Sequence, residues 1–370
     1  MSDNNIPLVD LKSNYKSIEK EVDAAIKKVM DNTSFINGPA VAGFENEFAK
    51  FINAKYCIGV SSGLEALRIS LLCLDIGEGD EVILPANTFI ATALAVSSVG
   101  AKVVLVDCDE NDLISIPQVE AAITSSTKVI MPVHLYGRSV DMSALNALAK
   151  QRGLLVVEDA AQAHGASLNG INAGSSGIAS CFSFYPGKNL GAFGDGGAIC
   201  TKDEDLAKRV RSYSNYGSSE KYVHDSLGSN NRLDSMQAAV LGVKLKYLPE
   251  WNKKRAGAAK KYNELLESIP NIEKPELIED GSHVYHVYAI RLKNSNRDAV
   301  MKNMQLQGVG ASVHYPIPVH LQKAYAHLEL GEGSFPLSEK YAREMISLPI
   351  FPEITIEQQK RVVEVLKNCL

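Results

Sequence analysis

Seven short apolar runs that alternate with helical stretches constrain this chain more than any other feature. They are Cys57–Val60, Glu81–Leu84, Val103–Asp107, Val129–Val133, Leu154–Glu158, Ser180–Phe184 and Ala198–Thr201. Each is rich in β-branched residues and apolar on both faces. That is the pattern of central strands in a mostly parallel sheet covered by helices. Ligands bind such sheets at the carboxyl ends of the strands. Four runs end in polar or reactive residues: Ser61-Ser62-Gly63, Asn87-Thr88-Phe89, Glu158-Asp159, and Ser183 with Lys188. The expectation is an α/β fold whose chemistry converges on one sheet edge.

The rest of the chain divides around this block. Its 370 residues exceed one small domain, at the usual ~100–200 residues each. Leu11, Tyr15, Ile18, Val22 and Ile26 recur at spacings of three and four and predict a helix over 12–31. Phe35-Ile36-Asn37-Gly38-Pro39 breaks it, and a helix resumes from Val41 to Phe51. Further helices are predicted at 204–214 and 233–247, and a connector helix at 250–268, beginning near Trp251. Beyond it, His283–Leu292 alternates as a strand, 296–307 reads as a helix, Gly310–His314 as a strand and 355–367 as a closing helix. The expected division is 1–250, an N-terminal arm with a large α/β domain, and 251–370, the connector with a small α+β domain.

A net charge of −5 implies no broad basic face for nucleic acid. No apolar run approaches the ~20 residues of a membrane span. The start, Met1-Ser2-Asp3-Asn4-Asn5, is polar and acidic, unlike a signal peptide. Cys57, Cys73, Cys108, Cys181, Cys200 and Cys369 contain no C-x-x-C spacing, and four lie in or beside strand-like runs. Buried there, a thiol behaves as a small hydrophobe. Neither a metal site nor a disulfide framework is expected, and a reducing cytoplasm fits.

Lys188 lies in Ser183-Phe184-Tyr185-Pro186-Gly187-Lys188-Asn189-Leu190-Gly191, about thirty residues after Glu158-Asp159-Ala160-Ala161-Gln162. Pyridoxal phosphate needs both parts. A lysine amine condenses with its aldehyde, and a carboxylate keeps its ring nitrogen protonated so that the ring acts as an electron sink. Most lysines are solvated surface charges, but this one sits in an apolar, glycine-rich, helix-poor stretch. Asp159 ends a very apolar strand, where a carboxylate needs a positive partner. A protonated pyridine nitrogen would serve, and so would the Lys or Arg of a buried salt bridge. Gln162, three residues on, could bond the cofactor's ring hydroxyl.

Other segments read in two ways. Ser61-Ser62-Gly63 follows a strand and opens a helix, where N–H groups and the helix dipole suit a phosphate; an ordinary capped helix start has the same sequence. Ser183 is a second candidate phosphate donor. Phe89 could stack on a planar ring or be a core aromatic. Gly191, Gly194, Gly196 and Gly197 lack the dinucleotide spacing and would let a substrate approach the backbone. Asn230-Asn231-Arg232-Leu233-Asp234 could serve a phosphate or a neighbouring subunit. His314-Tyr315-Pro316-Ile317-Pro318-Val319-His320 is a proline-held segment with two imidazoles, either a substrate contact or a structural turn.

Assembled, these motifs resemble the DegT/DnrJ/StrS family of sugar aminotransferases. The resemblance is carried by Ser62-Gly63, Asn87-Thr88-Phe89, Glu158 to Gln162, Ser183 to Gly197, Asn231 to Asp234, His314-Tyr315-Pro316 and Ser347-Leu348-Pro349, with Gly38-Pro39. It implies a fold type I, pyridoxal 5'-phosphate-dependent aminotransferase and a homodimer with shared active sites. Lys188 would be the cofactor lysine and proton shuttle, Asp159 the partner of the ring nitrogen, Phe89 the stacking ring and Gln162 the contact to the ring oxygen. Ser183, with the backbone at Ser62 and Gly63, would hold the phosphate. Asn231 is similar to the family asparagine that reaches the phosphate from the partner subunit. Many members carry a hydroxyl residue where Leu64 stands, which leaves this contact to Ser62 and backbone amides.

Within the family, Tyr185 to Gly191, Gly194-Asp195-Gly196-Gly197, Asn215-Tyr216-Gly217, Lys221-Tyr222-Val223-His224 and His314 to His320 resemble the branch that aminates C-3 of dTDP-3-keto-6-deoxyhexoses. The branch implies L-glutamate as donor and a dTDP-3-amino-3,6-dideoxyhexose as product, used in surface polysaccharides such as lipopolysaccharide O-antigen or in glycosylated metabolites. Tyr185, Tyr216, Tyr222, His314, Tyr315 and His320 would face the substrate. The alternative is a C-4, or a UDP-linked C-3, nucleotide-sugar aminotransferase. Related sugar dehydratases carry histidine in place of the lysine.

Overall fold

The computed structural model describes residues 5–278 and 281–370. Two helices come first, α1 (Leu11–Asp31) and α2 (Pro39–Ile52). Asp10 caps α1 by accepting from the Ser13 N–H, and Pro39 starts α2, where its missing donor costs nothing. Strand and helix then alternate: β1 (Tyr56–Val60), α3 (Gly63–Cys73), β2 (Glu81–Pro85), α4 (Ile90–Ser98), β3 (Lys102–Val106), α5 (Ile116–Ala122), β4 (Thr127–Ile130), α6 (Met142–Arg152) and β5 (Leu155–Asp159).

With Ala179–Ser183 and Gly197–Thr201, these strands form a seven-stranded sheet. Its order is β1, Gly197–Thr201, Ala179–Ser183, β5, β4, β2, β3. Gly197–Thr201 runs antiparallel to both neighbours; β5 pairs parallel with Ala179–Ser183. The fold is α/β with a mostly parallel seven-stranded sheet, as the alternating runs predict. One core holds Leu67, Leu71, Val82, Leu84 and Ile199. A second packs Phe44, Phe48, Phe182, Phe184, Leu241 and Leu245. Both faces are therefore covered, which explains why the strands show no polar alternation.

The largest departure from the sequence reading lies after α7 (Glu204–Tyr213). The helices expected at 233–247 and 250–268 are one helix, α8 (Ser235–Leu265), which runs through Pro249. Proline removes one helical hydrogen bond, but the helix continues through it with packing on both sides. Leu241, Leu245 and Leu248 enter the sheet's core, and Ala258, Ala259 and Tyr262 enter the core of a second unit.

That unit has a three-stranded antiparallel sheet, Ile272–Glu273, Tyr288–Leu292 and Met345–Leu348. Helices α9 (Arg297–Leu306), α10 (Pro336–Glu344) and α11 (Ile356–Cys369) accompany it. The strand expected over His283–Leu292 begins only at Tyr288. Before it, Val284 N donates to Gly137 O across the boundary between the units. Gly310–His314 contributes only the isolated bridge of Ser312 to Ser347, and Val309 just before it bridges to Ile6. The N-terminal arm is bound to this second unit: Ile6 N donates to Gly308 O, Gly310 N to Ile6 O, and Ile350 N to Leu8 O. Among the described residues no helix is long and apolar enough to cross a membrane.

Candidate active site

The carboxyl ends of β1, β2, β5 and Ala179–Ser183 surround a cavity of about 430 Å³. Arm residues Leu8 and Val9 and second-unit residues His314, Tyr315 and Ile350 complete its wall.

Lys188 and Asp159 both line it, delivered by adjacent parallel strands. Burial pushes the Lys188 ammonium down to about 8, against the opposing charge of Asp159. Burial pushes the Asp159 carboxyl up, although four groups favour its charge: the Thr92 hydroxyl, the Ala161 N–H, Lys188 and His134. Thr92 Oγ1 donates to Asp159 Oδ2 (2.8 Å), and the Ala161 N–H donates to Oδ1 (3.1 Å). The carboxylate is hydrogen-bonded but makes no salt bridge among the described residues, and the Lys188 charge does not offset its burial.

The strand beneath it is braced separately. Glu158 is fully buried and accepts from the Gly174, Ser176 and Gly177 N–H groups, from Ser180 Oγ and from His134 Nε2. Burial alone would raise this carboxyl, but His134 and the backbone donors hold it below its usual range. His134 Nδ1 accepts from the Val140 N–H (3.0 Å), so its proton is on Nε2.

At the opposite edge α3 begins. Ser62 Oγ accepts from the Glu65 N–H (3.2 Å). The Gly63 and Leu64 N–H groups, first in the helix, have no acceptor among the described residues. A side chain cannot be added here. A Cβ on Gly63 would lie 2.6 Å from Ser183 Cβ, and one on Gly197 would lie 2.3 Å from Ser62 O. Ser62, Gly63 and Ser183 form one close-packed cradle at a positive helix end.

Between these poles stand the rings. Phe89 stands at the start of α4, beyond the end of β2, and is half exposed; its centroid is 5.1 Å from that of Tyr315. Gln162 Nε2 donates to Tyr315 Oη (3.1 Å), while its Oε1 accepts from the Tyr136 N–H (2.7 Å). His314 Nδ1 pairs with Ser347 Oγ (2.8 Å), and burial, with the Lys188 charge, pushes that imidazole down to about 4.

The cavity thus brings together Ser62, Gly63, Phe89, Asp159, Gln162, Ser183, Tyr185, Lys188, His314 and Tyr315. Four other sequence candidates lie elsewhere in the chain. His320 is buried 3.0 Å from Glu339 and edge-on to Phe335, remote from the cavity wall. Asn231 bonds to Glu65, Ser229 and Ser61. Tyr222 lies in the turn of the hairpin Ser218–Glu220/Val223–His224 and is 84% exposed, and Tyr216, just before the hairpin, has the Arg232 guanidinium over its ring.

Sequence reasoning missed Thr92, His286, Leu8 and Val9. Thr92 had a usable signal, since it lies one helical turn beyond Phe89 in a helix that stays apolar from there to Val96. His286 and the arm residues had none, because distant segments carry them to the wall.

The cavity fits pyridoxal phosphate. A buried carboxylate that makes no salt bridge among the described residues meets the need of a protonated ring nitrogen. Two free helical N–H groups and two serines meet that of a phosphate, and a desolvated amine stands between them.

Comparison with known proteins agrees. The model of the DegT/DnrJ/EryC1/StrS aminotransferase family matches residues 16–367. A dTDP-3-amino-3,6-dideoxy-alpha-D-galactopyranose transaminase of Aneurinibacillus thermoaerophilus is 47% identical over 364 residues, 98% of this chain and 99% of that one. The crystal structure of Streptomyces venezuelae DesV with a ketimine intermediate superposes with a TM-score of 0.95 at 45% identity, covering 98% of both chains. NtdA of Bacillus subtilis, solved with bound cofactor PMP, superposes at 0.89 with 33% identity, covering 100% of this chain and 86% of that one.

Proposed function

The chain belongs to the DegT/DnrJ/EryC1/StrS aminotransferase family, and from that membership we propose that it transfers the amino group of L-glutamate to C-3 of a dTDP-3-keto-6-deoxyhexose. Its cofactor is pyridoxal 5'-phosphate. The observation that carries the reading is Lys188 and Asp159 facing one cavity from adjacent strand ends.

Bound there, the cofactor supplies an electron sink for the carbon that loses its proton. Lys188 Nζ takes the α-proton of L-glutamate as general base and returns a proton as general acid. A lysine held near 8 has both forms available at neutral pH. When the keto-sugar enters, Lys188 runs the same transfers in reverse. The donor leaves as 2-oxoglutarate, and the ketone oxygen leaves as water. Asp159 would hold its negative charge against the ring nitrogen, with Thr92 and Ala161 holding Asp159 in place. Ser62, Ser183 and the Gly63 and Leu64 N–H groups would bind the phosphate. Phe89 would stack on the ring, Gln162 would orient it, and Tyr185, His314 and Tyr315 would meet the sugar.

The sites belong to a homodimer in this proposal, with Asn231, Tyr216 and Tyr222 acting in the cavity of a second copy. In support, Tyr222 and Leu227 stand 84% and 93% exposed on one segment, and the Tyr222 ring meets the Lys221 ammonium, 5.2 Å from its centroid. The cytoplasm is the proposed location, supported by five buried free thiols among the six cysteines. The nucleotide is a leaving group, so the product is a glycosyl donor. Surface polysaccharide, including O-antigen, or a glycosylated metabolite would consume it.

An absorption spectrum tests the core of this. The purified holoenzyme should lose its visible band on addition of L-glutamate and regain it with dTDP-3-keto-6-deoxyglucose or its galactose epimer. A band that glutamate never bleaches would contradict the donor. No band at all, even with added cofactor, would overturn the assignment of Lys188. NMR of the product separates amination at C-3 from amination at C-4, and a UDP-linked acceptor separates the carriers.

A further inference from the structure

The residue after Lys188 sets the proton position on a histidine of the cavity wall. Asn252 Nδ2 donates to the carbonyl His164 O (2.7 Å), an atom that can only accept. Asn252 therefore turns Oδ1 toward Asn189, and Asn189 Nδ2 donates to it (3.0 Å) and to the carbonyl Val284 O (2.8 Å). Two backbone carbonyls fix both amides. Asn189 must present Oδ1 to His286 Nδ1, 3.3 Å away. Oδ1 has no proton, so Nδ1 carries one.

His286 lines the same cavity as Lys188. Its burial, reinforced by the Lys188 charge, pushes the imidazole well below its usual range, so the ring is neutral. A neutral ring protonated on Nδ1 has a bare lone pair on Nε2. That atom makes no hydrogen bond among the described residues, on a ring that lines the cavity.

We propose that His286 Nε2 accepts a hydrogen bond from a hydroxyl on a carbon flanking the substrate ketone, and so selects keto-sugars that carry this hydroxyl over those that lack it. The proposal rests on the aminotransferase reading above. Lys188 must reach the reacting carbon, so wall groups beside it meet substituents one bond further out. Nearby wall residues Leu8, Val9 and Ile350 offer such a hydroxyl no side-chain partner. A neutral, tautomer-locked imidazole offers an acceptor and no competing proton. A site built to bond a hydroxyl discriminates against the analogue without it, because its own acceptor is then left unpaired.

Two measurements on the holoenzyme test this. Imidazole nitrogen-15 NMR of the wild type, assigned by loss of the signal in His286→Phe, should show a protonated Nδ1 and a bare Nε2; a protonated Nε2 would overturn the proposal. Next, kcat/KM is measured for the keto-sugar and for its 2-deoxy and 4-deoxy analogues. Wild type should prefer the hydroxylated sugar over one of these by more than about tenfold, the scale of one hydrogen bond. In His286→Phe the preference should shrink to about threefold or less. His286→Gln, with an amide oxygen to accept, should recover part of it. A preference that survives in His286→Phe, or none in the wild type, sinks the proposal. If His286→Phe does not fold, Asn189→Leu, which releases the tautomer, must lower the preference instead. A wild type that aminates none of these sugars would refute the function while leaving the tautomer result intact.

Discussion

Thr92 commits its hydroxyl proton to Asp159. Its Oγ1 lies 2.8 Å from Asp159 Oδ2 and 2.8 Å from Thr88 Oγ1. Because the carboxylate accepts from Thr92, Thr88 must be the donor to Thr92. The result is a short relay of hydroxyls, from Thr88 just before α4 to Thr92 within it, that supports a charged Asp159. Removing it by Thr92→Val should cost one charge-assisted hydrogen bond, about tenfold or somewhat more in kcat/KM. Asp159→Ala should be far worse and should also weaken cofactor retention. Steady-state kinetics with a cofactor titration checks both; unchanged kinetics in Asp159→Ala would remove that residue from the site.

Lys188→Ala removes both the amine that anchors the cofactor and the proton shuttle. Turnover should fall by more than about a thousandfold, toward the upper range for a positioned acid–base group. The visible band should vanish while circular dichroism stays native. Normal transamination by this variant would end the assignment.

Lys188 also sets a pH dependence. The neutral amine is the form that attacks an aldehyde. Burial holds the group near 8, against about 10.4 for a free lysine. The rate of cofactor loading onto apoprotein should therefore rise with pH through about 8 and level off above it. Stopped-flow absorbance reads this directly. A rate still climbing steeply near pH 10 would show that the amine is not desolvated.

Gly63 admits no side chain. In Gly63→Ala the new Cβ would meet Ser183 Cβ at 2.6 Å, so the start of α3 must move away from Ser183. Overpacking of this kind typically costs about 1–3 kcal/mol. Cofactor affinity should drop by tenfold or more, on the order of one strong phosphate contact. Equilibrium dialysis and thermal unfolding measure the two effects.

The sheet was readable because its strands are buried on both faces, so apolarity marks them without any alternation to decode. Asp159 was readable for a related reason, as a carboxylate ending a very apolar strand demands explanation. What stayed hidden depends on chain paths. His286 sits in a segment whose alternation resembles a strand, yet its backbone bends to meet Gly137. Leu8 and Val9 precede every periodic element and reach the cavity only through bonds to residues 308–310 and 350. His320 misled because two imidazoles in a proline-rich run look like a pair, whereas one of them is matched to Glu339. The α8 boundary was misplaced because proline normally stops a helix, and only packing at both ends overrides it here.

The continuity of α8 has a mechanical meaning. Its 31 residues span about 46 Å at about 1.5 Å per residue. One end is embedded in the second unit, and the other grips the segment after the reactive amine: Leu241 and Leu245 share a core with Phe184 and Leu190, and Lys244 Nζ donates to Gly191 O (2.6 Å). Such a rod works as a lever with Lys188 beside its fulcrum. Any tilt of the second unit, with His314 and Tyr315 aboard, is felt at the same time by the loop that aims the lysine.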